Sequence, residues 1–73
     1  MIIIGEITKN AKEKIQASVN NYNCRGIFDL RVFYEDDQGE YKPSKKGIAF
    51  SVEIFNKVFE LMKKAKIQII NKN

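Results

Sequence analysis

Residues 14–35 read Lys14-Ile15-Gln16-Ala17-Ser18-Val19-Asn20-Asn21-Tyr22-Asn23-Cys24-Arg25-Gly26-Ile27-Phe28-Asp29-Leu30-Arg31-Val32-Phe33-Tyr34-Glu35. Ile15, Ala17 and Val19 alternate with Gln16, Ser18 and Asn20, the period-two pattern of a strand with one buried and one wetted face. Tyr22 continues the polar phase. Asn23, Cys24, Arg25 and Gly26 make a turn, and a second strand follows over residues 27–35. There Phe28, Leu30, Val32 and Tyr34 share one phase, and Asp29, Arg31 and Phe33 the other. The β-branched and aromatic content supports the strand assignment.

Outward from this pair the pattern stays extended. Residues 2–8 form a candidate strand with an apolar start, and Gly5 marks a bend or bulge. Residues 10–13 are a connector or a single helical turn. Asp36-Asp37-Gln38-Gly39 is the strongest turn signal in the chain, and a fourth extended segment covers residues 40–50. Pro43 cannot donate to a ladder, so its surroundings are an edge, a bulge or an irregular start. Gly47 permits a bend or a close backbone approach. Lys45 and Lys46 are consecutive and would point to opposite faces of a regular strand. A bulge or twist near Pro43 is needed to bring both to one track.

A helix is expected from Ser51, the candidate N-cap, to about Lys66, with Glu53 favourably placed in the first turn. Ile54, Val58, Leu61 and Ala65 follow three-and-four spacing, as do Phe55, Phe59 and Met62. Glu60 and Lys64 make a favourable i,i+4 pair. Two adjoining ridges are more than one small sheet needs. The residues leave open whether a second copy of the chain covers the surplus or the sheet curves around it. The ridge of Phe55, Phe59 and Met62 is the first choice for a dimer seam, with Ile54, Val58 and Leu61 toward the sheet, or the two exchanged. Residues 67–73 either add a short extended segment or pack against Met1 to Ile4.

At 73 residues, 44% hydrophobic and 30% charged, the chain is a single globular domain over residues 1–73 rather than a disordered segment. A domain this small buries only roughly 60% of its unfolded surface. The absence of His and the single Cys remove zinc clusters, an internal disulfide and the usual general base. Cys24 has no activating partner and reads as a small, partly buried filler at the turn. No Gly-rich phosphate cradle is present, and Glu35, Asp36, Asp37 and Glu40 lack the ligand order of a calcium loop. An enzyme is not expected, nor a cofactor. No apolar run is long enough to span a membrane, and no leader pattern is visible. The expectation is an intracellular protein, cytoplasmic or nucleoid-associated.

Thirteen Lys and Arg stand against nine Asp and Glu, a formal charge of +4. Lys42, Lys45 and Lys46 form a compact basic patch, Arg25 and Arg31 sit on the preceding hairpin, and Tyr22, Phe33, Tyr34 and Tyr41 interleave rings with this charge. Cations for phosphates and exposed rings for bases are what single-strand binders combine. Against this stands a core role for the rings, and an Arg31–Asp29 pair along one strand face.

The runs Phe28-Asp29-Leu30-Arg31-Val32-Phe33-Tyr34 and Gly39-Glu40-Tyr41-Lys42-Pro43-Ser44-Lys45-Lys46-Gly47-Ile48 resemble the transcriptional positive cofactor family, in particular its C-terminal single-stranded-DNA-binding domain. The resemblance implies an α+β fold, a four-stranded antiparallel curved sheet followed by one C-terminal helix, assembled as a homodimer. It implies sequence-nonspecific binding of single-stranded or melted DNA, with Arg31, Lys42, Lys45 and Lys46 on phosphates and Tyr22 and Tyr34 stacking on bases. Lys14 and Arg25 are additional candidate contacts. The transcription machinery is a further candidate partner. Ser44 stands where the family pattern has Gly, and Lys45 where it has Arg, which keeps the charge and loses the fork. The alternatives are a protein-interaction transcriptional adaptor and a single-stranded RNA-binding module.

Overall fold

The computed structural model describes residues 1–71, apart from the side chain of Tyr22. Four strands, β1 (Ile2–Thr8), β2 (Glu13–Tyr22), β3 (Arg25–Glu35) and β4 (Tyr41–Ser51), form one curved antiparallel sheet in the order β1-β2-β3-β4. A 3-10 turn, Val52–Ile54, leads into helix α1 (Phe55–Asn71). Every strand neighbours its predecessor, so the sheet is a meander with short connections.

The turns follow from the residues at their tips. Tyr22 pairs with Arg25, and the two residues between them, Asn23 (φ 51°) and Cys24 (φ 61°), are both left-handed. This is the primed two-residue turn whose twist matches the flanking strands. Cys24 is exposed, not the partly buried filler the sequence implied, because the tightness of the turn leaves its side chain nothing to pack into. At the next turn Gly39 takes φ 80°, and Asp36 Oδ1 accepts from the backbone N–H of Gln38 and of Glu40, both at 2.9 Å. In β1 the register slips between Ile3 and Gly5, the irregularity anticipated there.

The register sorts the side chains onto two faces. Ile15–Val32, Ala17–Leu30–Ile48 and Val19–Phe28–Phe50 are rows on one face; Gln16–Arg31–Gly47 and Ser18–Asp29–Ala49 are rows on the other. The expected polarity of burial is inverted. Gln16 and Ser18, read as wetted, are the most buried residues at 8% and 7% exposure, and no hydrophobic side chain among the described residues is fully buried. The cause is coverage. Gln16 and Ser18 lie on an inner strand, flanked by Glu6 and Ile3 on β1 and by Arg31 and Asp29 on β3, while the helix leaves much of the apolar face open.

The helix meets the sheet at one corner. Phe55 packs edge-on against Phe28 at 5.2 Å and lies 6.3 Å from Phe50, and Phe28 and Phe50 sit 5.4 Å apart. Phe55, placed by first choice on a dimer seam, therefore anchors α1 to its own sheet. Leu61, placed toward the sheet, is 64% exposed. Ser51 is the last residue of β4 and stands at the N-cap of the 3-10 turn, but its side chain makes no capping hydrogen bond; the α-helix starts three residues later than expected. It then runs through residues 67–71, because nothing there breaks a helix: no Gly or Pro intervenes. Glu60 is met by Lys63 at 3.3 Å rather than by Lys64.

The resulting shape is open. The Cα radius of gyration is 14.5 Å, with extents of 42 × 40 × 18 Å. A compact chain of this length has a radius of about 11 Å.

Candidate nucleic-acid interface

The segment bearing the lysines is irregular for a physical reason. Arg31 pairs with Gly47 and Phe33 with Pro43, so β4 carries two extra residues against β3. Pro43 supplies no N–H to a ladder, and the chain bulges from there to Gly47. Ser44 fastens the bulge: its hydroxyl donates to the Val32 carbonyl at 2.7 Å and accepts from the Lys46 N–H at 3.0 Å. Its own carbonyl accepts from Arg31 Nη1 at 3.0 Å. The far end closes on Gly47, where a Cβ would stand 2.6 Å from the Leu30 carbonyl oxygen and 2.9 Å from Arg31 Cα.

This bulge organises the basic patch. Tyr34 lies between Glu13 on β2 and Lys42 on β4 in one cross-strand row. Lys46 reaches Glu13, 4.0 Å from Oε2, and so arrives at the same row. Tyr34 is 42% exposed and is thus an accessible ring bracketed by two cations. Lys45 projects from the bulge and makes no ion pair among the described residues.

Each bracketing lysine is held by a carboxylate. Lys42 pairs with Asp36 Oδ2 at 3.1 Å. The Asp36 carboxyl is held below the ordinary aspartate range, chiefly by the Glu40 N–H and further by Lys42 and the Gln38 N–H. Glu13 is likewise lowered, first by the Asn10 side-chain amide at 2.8 Å and then by the charges of Lys9 and Lys46.

The remaining candidates lie elsewhere. Arg31 projects on the opposite face, where Nε donates to both oxygens of Asp29, at 3.1 and 3.3 Å. The competing structural pairing is thus formed. Lys14 shares that face; it pairs with Glu6 at 2.8 Å and lies 4.4 Å above the Tyr41 ring. Arg25 and the backbone of Tyr22 are at the far end of the β2–β3 ladder from Tyr34. The side chain of Tyr22, a candidate stacking ring, lies outside the described residues. Ser44 and Asp36 were not singled out as partners of the site. Ser44 next to Pro43 was the available signal for the first, and the turn chemistry of Asp36 masked its second role on Lys42. No cluster of His, Cys, Asp or Glu suited to a metal ion occurs among the described residues, and no helix among them is long and apolar enough to cross a membrane.

Comparison with known proteins gives a consistent picture. The RNA polymerase II transcriptional coactivator KIWI of Arabidopsis thaliana is 40% identical over 55 residues, which is 75% of this chain and 47% of that protein. The chain thus spans about half the length of this curated relative. A PC4 homolog from Burkholderia pseudomallei, solved in a tetragonal crystal form, superposes with a TM-score of 0.79 at 26% identity, over 88% of this chain and 94% of that one. The bacteriophage T5 homolog of the eukaryotic coactivator PC4 shares the fold, with a TM-score of 0.63 at 18% identity over 93% of this chain and 77% of that one. The family model described as transcriptional coactivator p15 (PC4) matches residues 9–61. Since that match covers well over half of the chain, the chain belongs to the transcriptional coactivator p15 (PC4) family.

Proposed function

We propose that the protein binds unpaired DNA with little dependence on sequence, as a homodimer, in support of transcription or DNA metabolism. The observation that carries this reading is the half-exposed Tyr34 ring bracketed by Lys42 and Lys46 beside the bulge. A ring of this kind accepts the face of any base, and the surrounding ammonium groups neutralise phosphates whatever the sequence. Lys45 adds a cation with no internal partner. Such binding needs no cofactor and no catalytic group.

The surface supports the dimer. The chain exposes 6180 Å², against about 4,700 Å² for a compact monomer of this mass. Pairing that hides the excess on two copies removes roughly 3,000 Å², the scale of an obligate homodimer. The cleft between α1 and the sheet is wholly apolar, about 160 Å³, and is lined by Phe28, Leu30, Phe50, Phe55, Phe59 and Met62 among others. Phe59 and Met62 remain 48% and 58% exposed at its mouth. A second helix seated there covers them.

Fluorescence anisotropy with a short labelled single strand, titrated across a salt series, tests the binding. Saturable association that weakens steeply with salt is expected. No saturation at low salt overturns the reading.

A further inference from the structure

The turn between β1 and β2 stands at the rim of the Tyr34 site and carries two further cations, Lys9 and Lys12. Its shape is fixed by its own residues. The backbone N–H groups of Lys9 and Asn10 both donate to the Glu13 carbonyl, at 3.0 and 3.1 Å. The Asn10 side chain accepts from the Lys12 N–H at 3.0 Å and donates to Glu13 Oε1 at 2.8 Å. The turn is also tied to β3, since the Glu35 N–H donates to the Lys12 carbonyl at 2.8 Å. Glu35 directly follows Tyr34, and Glu13 is the cross-strand partner of Tyr34. Lys9 and Lys12 are thus held beside the exposed ring, across it from Lys42, which pairs with Tyr34 from β4.

The Glu13 carboxylate already occupies this place as an anion. Lys9 Nζ lies 3.5 Å from Oε1, and Lys46 Nζ lies 4.0 Å from Oε2. Two ammonium groups on the two oxygens of one anionic centre is an arrangement that a phosphodiester, with two anionic oxygens on one phosphorus, reproduces. Both contacts are at the surface, where such pairs are weak and exchange readily. Lys12 is exposed and makes no ion pair among the described residues. A strand whose base is stacked on Tyr34 brings its neighbouring phosphate to these groups at high effective concentration.

We propose that Lys9 and Lys12 form a further phosphate subsite on the β1–β2 turn, and that Glu13 is its gate: the carboxylate holds Lys9 in the free protein and yields it to a phosphate of the bound strand. This rests on the single-strand reading above. The subsite adds one phosphate to those met by the β4 lysines, with no demand on base identity. Glu13 lowers affinity, because its hold on Lys9 and Lys46 has to be broken.

The test is a salt series with labelled oligo-dT on the intact protein and four variants, each checked for folding by circular dichroism. Lys9 and Lys12 replaced together by Ala are expected to lower the slope of log K against log salt by about 0.7, one phosphate on a single strand. Glu13→Gln keeps an oxygen for the Asn10 amide and releases both lysines; it is expected to tighten binding at low salt by about fivefold. Glu60→Gln makes the same change in net charge on α1, away from the turn, and Lys57→Ala removes a cation there; both are expected to move affinity less than twofold. In parallel, the Lys9 side-chain methylene resonances of the wild-type protein are followed by NMR as oligo-dT is added, which needs no variant to fold. Their shift at saturation supports the subsite. Saturable binding with Lys9 unmoved, with the slope unchanged in the double variant, or with Glu13→Gln no tighter than Glu60→Gln, overturns the subsite and leaves the Tyr34 interface standing. Failure of the wild-type protein to bind oligo-dT at low salt overturns both.

Discussion

The Ser44 hydroxyl donates to the Val32 carbonyl at 2.7 Å, and this bond fastens the β4 bulge onto the centre of the sheet. Because the same oxygen accepts from the Lys46 N–H, one side chain fixes both the displacement of the strand and the direction in which Lys46 leaves it. Ser44→Ala removes both bonds and exposes an unpaired carbonyl. The expected loss is about 1 kcal/mol, or roughly 4–8 °C in Tm for a domain this size. Single-strand affinity should fall a few-fold as Lys46 loses its fixed direction. Thermal melts and anisotropy titrations on the same preparations check both parts. Unchanged affinity would detach the bulge from the binding face.

Gly47 and Gly5 make a matched pair. A Cβ at Gly47 meets backbone at 2.6 and 2.9 Å, whereas one at Gly5 meets nothing within 4 Å. Backbone cannot swing aside as a flexible side chain can. Gly47→Ala should cost about 1–3 kcal/mol, while Gly5→Ala should leave stability within about 0.5 kcal/mol of wild type. Urea denaturation of the two variants compares them directly.

These sites show what the sequence makes legible and what it does not. The strands announced themselves because period-two alternation and turn residues are local. Pro43 announced a bulge because a missing N–H is local too, and the need for a bulge to align Lys45 and Lys46 followed. The inverted burial of Gln16 and Ser18 was hidden, since it depends on which residues β1 and β3 place on either side of β2. The fate of residues 67–71 was hidden as well: isoleucines spaced this way suit a strand or a helix, and only continuity with α1 decides. Arg31 illustrates the same limit. Its charge pointed to phosphate, while its partner Asp29, two residues away on the same face, was visible and equally compatible with the sequence.

Cys24 occupies the second position of the primed turn at φ 61°, where a Cβ is unfavourable. Replacing it by Gly should stabilise the hairpin by about 1 kcal/mol. Since Cys24 is exposed and carries no contact of the proposed interface, affinity for single strands should not move. A melting shift without an anisotropy shift is the expected signature.

Asp36 restrains Lys42 as well as closing the turn. Its carboxyl is depressed in the folded state, so it contributes stability above the unfolded value, and that contribution is lost as pH falls through the lowered one, from about pH 4 downward. Asp36→Asn keeps an acceptor for the two N–H groups but removes the charge. The acid limb of the stability curve should flatten. Lys42, released from its carboxylate, should bind a phosphate more readily, tightening single-strand binding. A variant that binds more weakly would show that Asp36 positions Lys42 rather than competing for it.

The two parts of the binding surface are separable by salt. Tyr34→Ala removes a stacking platform worth about 1–3 kcal/mol per base but no charge. Affinity should drop about ten-fold or more, with the slope of log K against log salt preserved. Replacing Lys45 and Lys46 together by Ala should instead lower that slope by about 1.4, two phosphates at about 0.7 each for a single strand. Both measurements assume the dimer, so sedimentation accompanies them, and it carries a prediction of its own. Phe55 packs against Phe28 and Phe50 with 36% of its surface exposed, whereas Met62 stands 58% exposed at the open end of the cleft. Phe55→Ala should therefore destabilise each protomer, by about 2 kcal/mol or more. Met62→Glu places a charge in the proposed seam, where it has no partner, and should shift the protein to monomers over the micromolar range. A Met62→Glu protein that still sediments as a dimer would move the seam to the face that carries Leu61.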